Sequence, residues 1–244
     1  MTVRVAAVFF LASLVRSTFG FGEALIAVPL LAFVLPVQIA APVAVLVSIT
    51  VAAIVVARDW RHVQLRSAGR LLFSTIFGIP VGLLLLRSVP DAIVKLLLGG
   101  LVAGFSLWSL ARVHASELED DRFAWAFGWL AGVLGGAYGM NGPPLAIYGA
   151  LRRWPPAQFR ATLQGYFLPA SVFGLIGYGA AGLWTPAVTR YFLLSLPSVV
   201  LAIAISRPIS RWLDGRSFLS YVHAFLVVVG TVLIVQSLGD LVIS

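Results

Sequence analysis

The residues in this 244-residue chain whose types could do chemistry gather in two short interruptions of apolar sequence. They are Arg16-Ser17-Thr18-Phe19-Gly20-Phe21-Gly22-Glu23 and Gly135-Gly136-Ala137-Tyr138-Gly139-Met140-Asn141-Gly142-Pro143-Pro144. Each puts glycines and polar groups where the flanking sequence reads as membrane helix, and lipid offers no partner to a freed backbone group. Such a break persists where it is buried in protein or lines a wet cavity, the place where transporters hold substrates and coupling ions. A small-anion site between the two breaks is therefore expected.

In the first break, Arg16 closes one apolar piece and Glu23 opens the next. Arg16 offers a forked donor to an anionic group, and Glu23 either neutralises it or carries a proton. The same two residues also fit a structural part, since a glutamate is favoured at a helix N-terminus and an Arg–Glu pair can hold a hairpin together. Gly20, Gly22, Gly139 and Gly142 let the backbone turn tightly and approach a ligand, or simply let helices pack closely. Helix N-termini are expected near Glu23 and Pro143, and free N–H groups at two N-termini aimed at one point make an anion site. Ser17, Thr18 and Asn141 add side-chain donors, with Gln164 and Ser48 as weaker candidates and Tyr138 and Phe19 as walls. A membrane glutamine bonds a neighbouring helix equally well.

The elements that must position these groups are membrane helices. Hydrophobic residues make up 60% of the chain and charged ones 11%, with a mean hydropathy of +1.01, outside the range of soluble globular domains. Cysteine is absent, which excludes disulfides, thiolate metal sites and cysteine nucleophiles, and three scattered histidines give no basis for a metal site. No metal or other cofactor is expected. The net charge of +8 comes from arginines at the ends of apolar segments, which fits positive-inside topology rather than nucleic-acid binding. Arg4 and the apolar run after it look like a signal peptide, but no convincing cleavage site follows and the region matches a later internal segment, so it is expected in the mature protein.

Residues 3–15 and 23–35 flank the first break as half-helices, about 20 Å long at 1.5 Å per residue. Full spans are expected over 38–57, 68–86 and 92–111, then a polar linker, 113–122. The plan then recurs: 123–137 and 143–151 flank the second break, followed by 158–181, 187–206 and 217–239. At an offset of 119, Phe19 pairs with Tyr138, Gly20 with Gly139, Gly22 with Asn141 and Pro36 with Pro155. The expectation is a single all-α polytopic transporter domain of two repeats, 1–112 and 123–244. Counting each break as a re-entrant hairpin puts the basic connections around Arg58, Arg152 and Arg207 on one side. Each repeat is then one hairpin plus three spans, and the odd number of crossings inverts the second repeat. Eight spans with kinked first and fifth helices is the alternative. Small residues on several spans allow a homodimer.

Ser17-Thr18-Phe19-Gly20-Phe21-Gly22, then Val28-Pro29-Leu30-Leu31 and the Pro36 turn, together with Gly135 to Pro144, resemble the TauE/SafE family of sulfite exporter-like permeases. The resemblance implies a small multi-pass protein of the bacterial inner membrane that moves sulfite, sulfonates or related anions, frequently as an exporter. Gly20, Gly22, Pro29, Gly139, Asn141 and Pro143 match the family motif. The family's tip is commonly more glycine-rich; Glu23 directly after Gly22 departs from it and favours proton linkage. The expected function is secondary transport of a small sulfur-containing anion by alternating access, with no ATP-binding motif present, the lipid bilayer as surroundings and no nucleic-acid partner. A passive anion channel or a permease for another small organic anion are the alternatives. An enzyme is not expected, for want of any catalytic cluster at membrane depth.

Overall fold

Apolar runs in a solvent without hydrogen-bond partners must satisfy their backbone locally, and the helix does so. The structure is a computed structural model that describes residues 2–19, 21–59, 65–111, 118, 120, 122–212 and 215–243. Within these, side chains are described except at 2, 18, 19, 55–59, 65–68, 156–158, 160, 161, 164, 207–212, 215–219 and 243. Among the described residues the chain forms ten α-helices and no strand. They are α1 (Thr2–Phe19), α2 (Glu23–Ala32), α3 (Val37–Asp59), α4 (Leu65–Ser88) and α5 (Asp91–Leu110), then α6 (Phe123–Tyr138), α7 (Gly142–Leu151), α8 (Pro156–Ala180), α9 (Pro186–Trp212) and α10 (Gly215–Ile243).

Five described stretches are long and apolar enough to cross a membrane: Val37–Ile54, Gly69–Ser88, Asp91–Leu110, Pro186–Ser206 and Ser220–Val242. Five of the six expected spans are thus matched, and the sixth, 158–181, coincides with α8, which is not among the five. The first break is narrower than the sequence suggests. Helix α1 runs through Arg16 and Ser17 to Phe19, so it spans 18 residues, about 27 Å rather than about 20 Å. Ser, Thr and Phe tolerate helical backbone angles; among the described residues of the break it is Gly22 that takes the left-handed conformation, at φ 99°. Most of the expected 113–122 linker lies outside the described residues, but Leu118 donates its N–H to the Leu151 carbonyl at the end of α7.

Shifting α2 by 119 residues lays it on α7 from first residue to last, and the same shift carries the end of α1 onto the end of α6 and the start of α3 onto the start of α8. The two halves interleave: α1 packs on α9, α6 on α4, α3 on α8 and α5 on α10. The α4–α6 seam is built on glycine. A Cβ at Gly78 or Gly82 of α4, or at Gly128, Gly132 or Gly136 of α6, would run into the backbone of the facing helix. With no hydrophobic force to drive helices together in lipid, this close backbone approach supplies the packing. Helices α2 and α3 form the interior, whereas α9 and α10 expose Leu193, Val200, Leu201, Val228 and Val235 on the outside. On a membrane protein those side chains meet lipid tails.

Candidate functional site

Each break is closed by local chemistry. Gly139 ends α6 in the left-handed conformation, φ 66°, with its N–H on the Gly135 carbonyl, while Met140 N–H reaches Leu134 O. Glycine is favoured at such a helix end because it has no Cβ to clash. Gly22 and Asn141 are the N-cap residues of α2 and α7, and neither helix start has a side-chain cap. The first-turn N–H groups of a helix have no intrahelical partner. In α2 the first N–H to bond back is that of Ile26, to Gly22 O, so those of Glu23, Ala24 and Leu25 remain. In α7, Pro143 and Pro144 carry no N–H, so its contribution is smaller than two equivalent N-termini would give.

The two helix starts meet at one cavity of about 20 Å³, room for a water molecule. Its lining repeats the 119-residue offset: Phe21 with Met140, Gly22 with Asn141, Glu23 with Gly142, Ala24 with Pro143, and Ser48 with Phe167. The charges do not repeat. Arg16 and Glu23 belong to the first half, and the equivalent positions in the second are Gly135 and Gly142.

Helical spacing puts Ser13 and Arg16 on one face of α1, three residues apart. From there Arg16 Nη1 donates to Glu23 Oε2 at 2.7 Å and to the Ser48 hydroxyl on α3, and Ser13 Oγ donates to Glu23 Oε1 at 3.3 Å. The guanidinium carbon lies 5.2 Å from the centroid of the Phe167 ring on α8. Arg16 is 7% exposed and Glu23 1%, so the pair is withdrawn from solvent and the ring face adds to the cation's stabilisation. Asn141, from the start of α7, lines the same cavity, and its amide lies beside Gly135 of α6.

Of the residues singled out from sequence, Arg16, Gly22, Glu23, Gly139, Asn141 and Gly142 line this cavity, joined by Ser48. Ser17 does not; its hydroxyl is buried without a partner among the described residues. Tyr138 is turned away, its hydroxyl donating to Val94 O of α5 at 3.1 Å. Gly20 and the side chains of Thr18, Phe19 and Gln164 lie outside the described residues. Sequence reasoning missed Phe21, Met140 and Phe167 as lining and Ser13 as a support of Glu23. The repeat offset was the signal for Phe167, because it falls opposite Ser48.

The chemistry this permits is narrow. One cation, one carboxylate, hydroxyl and amide groups and backbone N–H groups converge on a small space walled by aromatic and aliphatic side chains. Among the described residues no group of histidines and carboxylates could hold a metal ion. The arrangement can bind and release an anion and move a proton.

In comparison with known proteins, residues 5–233 match the family described as Sulfite exporter TauE/SafE. The probable sulfite/organosulfonate exporter TauE of Cupriavidus necator is 28% identical over 151 residues, 61% of this chain and 58% of that protein. The match therefore spans a little over half of that relative's length. No solved structure matches the chain.

Proposed function

This chain belongs to the TauE/SafE family of membrane transporters, and from that premise we propose that it is a secondary transporter, in the exporting direction, of a small sulfur-containing anion such as sulfite or an organosulfonate. The observation that carries the proposal is the convergence of the α2 and α7 starts on a cavity holding a buried, neutralised arginine. In this reading the anion displaces Glu23 from Arg16. A displaced carboxylate at this depth is costly as an anion, so it takes up a proton as the substrate binds. One proton then travels with each anion. The similarity to the probable sulfite/organosulfonate exporter of Cupriavidus necator supports the substrate class.

The two breaks act as re-entrant tips of inverted repeats, each repeat a hairpin plus three spans, in the bacterial inner membrane. The offset of 119 between helix bounds and between lining residues supports the repeat. Reading the breaks as hairpins lets the basic connections around Arg58, Arg152 and Arg207 share one side, as the positive-inside rule asks. Alternating access then rocks one set of helices against the other around the fixed tips. Because a sulfur oxyanion is larger than the water this cavity admits, the tips must move apart to take it up.

Counterflow in proteoliposomes tests the proposal. With unlabelled sulfite inside, labelled sulfite outside should accumulate transiently above equilibrium. Uptake without trans-stimulation would mean a channel, and no sulfite or sulfonate flux at all would reject the substrate class.

A further inference from the structure

The cavity where the helix starts meet has a neighbour. Val45, Ile79, Gly135, Ala170, Ser171 and Gly174 enclose a second gap, too narrow for water, and Asn141 lines both. On α8, Phe167 in the first cavity and Ala170, Ser171 and Gly174 in the second fall at helical spacing. They form one face, about 10 Å from first to last. On α3 the same step leads from Ser48 in the first cavity to Val45 in the second. The two gaps are parts of one groove between α3 and α8, divided by Asn141 from the start of α7.

The far part of the groove is apolar and its walls leave space. Gly135 has its carbonyl satisfied twice, by the Gly139 N–H at 2.9 Å and by the Tyr178 hydroxyl of α8 at 3.0 Å, so it has no lone pair left for a polar guest. Gly174 is buried, yet among the described residues a Cβ there would meet only Val45 Cγ1, at 4.0 Å. It differs in this from the seam glycines of α4 and α6, which the facing backbone requires. Glycine inside a helix is less stable than alanine, and packing does not demand this one. One turn on, the groove is shut, since a Cβ at Gly177 would fall 2.6 Å from Leu83 Cδ1.

Resting on the substrate site proposed above, we infer that the groove from Asn141 to Gly174 is a subsite for the alkyl tail of an organosulfonate, with Gly174 and Val45 setting the length of tail it takes. The sulfonate group lies at Arg16 and the α2 start, and the tail runs along α8. The first gap admits a water and the second none, so both widen when the tips part. That movement withdraws Asn141 from between them and joins them into one cavity. The tail then gains about three- to fourfold in affinity for each methylene it buries, a gain that sulfite, having no tail, does not share.

Binding titrations of the purified protein with sulfite, methanesulfonate, propanesulfonate and butanesulfonate test this. In the wild type, propanesulfonate should bind about tenfold tighter than methanesulfonate, the value of two buried methylenes. Gly174→Ala puts a methyl group into the groove without a clash. It should abolish most of that gain while leaving sulfite and methanesulfonate affinity, and the melting temperature, at or above wild type. Val45→Ala widens the opposite wall and should favour butanesulfonate by about threefold over the wild type, again with sulfite unchanged. The wild-type series and Val45→Ala read the groove even if Gly174→Ala fails to fold. No gain with tail length in the wild type, the full gain kept in Gly174→Ala, or an equal loss for sulfite and every sulfonate in that variant would overturn the inference and leave the anion site standing. No saturable binding of any of the four anions by the wild type would remove the site itself, and the inference with it.

Discussion

Replacing Glu23 by glutamine separates the transport mechanism from the architecture. Arg16 Nη1 and Glu23 Oε2 are 2.7 Å apart and both side chains are buried. At a centre-to-centre distance of about 4 Å and an effective dielectric constant of about 20, their attraction is about 4 kcal/mol. An anion that must displace ionised Glu23 forfeits that amount, equivalent to about a thousandfold in affinity at roughly 1.4 kcal/mol per tenfold. Protonating Glu23 removes the competitor. Binding of one anion with uptake of one proton should therefore weaken about tenfold for each unit rise in pH over the range where Glu23 is ionised. In Glu23→Gln the slope should vanish. Affinity at the alkaline end should exceed that of the wild type, exchange of sulfite across proteoliposomes should continue, and uphill transport driven by a pH gradient should be lost. The assay is isothermal titration with sulfite across pH, repeated with an alkanesulfonate whose own charge does not change over that range. A wild-type affinity for the sulfonate that is flat with pH, or a slope retained in Glu23→Gln, would refute the coupling.

Three further substitutions test other parts of the structure. Gly82→Ala would push a methyl group into the Val133 carbonyl of α6 and should cost roughly 1–3 kcal/mol, seen as a lower melting temperature in detergent; Gly100→Ala, with nothing within 4 Å, should be neutral or slightly stabilising. Asp91 accepts the Val37 N–H at the start of α3 at 3.2 Å while pairing with Lys95, so Asp91→Ala should lower thermal stability by about 1 kcal/mol and leave anion affinity alone. Phe167→Leu removes the ring beside Arg16 and should weaken sulfonate binding by about three- to tenfold, from a cation–π contribution of roughly 0.5–1 kcal/mol plus looser guanidinium placement, with the pH slope of the wild type retained.

The breaks were legible in the sequence because glycine and charge are conspicuous inside apolar runs. Arg16, Glu23, Gly22, Asn141 and Gly142 all prove to share one cavity. Helix bounds were legible too, to within a few residues, since Pro36, Pro90 and Pro155 punctuate the chain just before α3, α5 and α8. Other features depend on rotation about a helix axis or on pairing across the fold. Tyr138 shares the second motif with Asn141, but at the end of α6 it is rotated toward α5, and it is Gly135, one turn earlier, that faces Asn141. Tyr166 of α8 and Thr75 of α4 are 91 residues apart and meet only through the packing of those two helices, which no local pattern announces. The extra turn of α1 past Arg16 was hidden for another reason: serine and threonine are compatible with a helix, and α1 carries them through to Phe19.

The central claim is that the anion binds where the α2 and α7 starts meet. Its most direct measurement is a titration of sulfite and an alkanesulfonate into the Arg16→Met/Glu23→Gln double variant beside the wild type, with melting temperatures recorded for both. The double variant removes both charges together, so no unpaired ion is left in the interior to unfold the protein. The expected result is a folded double variant without saturable binding, against a wild type that binds. Wild-type affinity in a folded double variant would place the anion elsewhere and contradict the account.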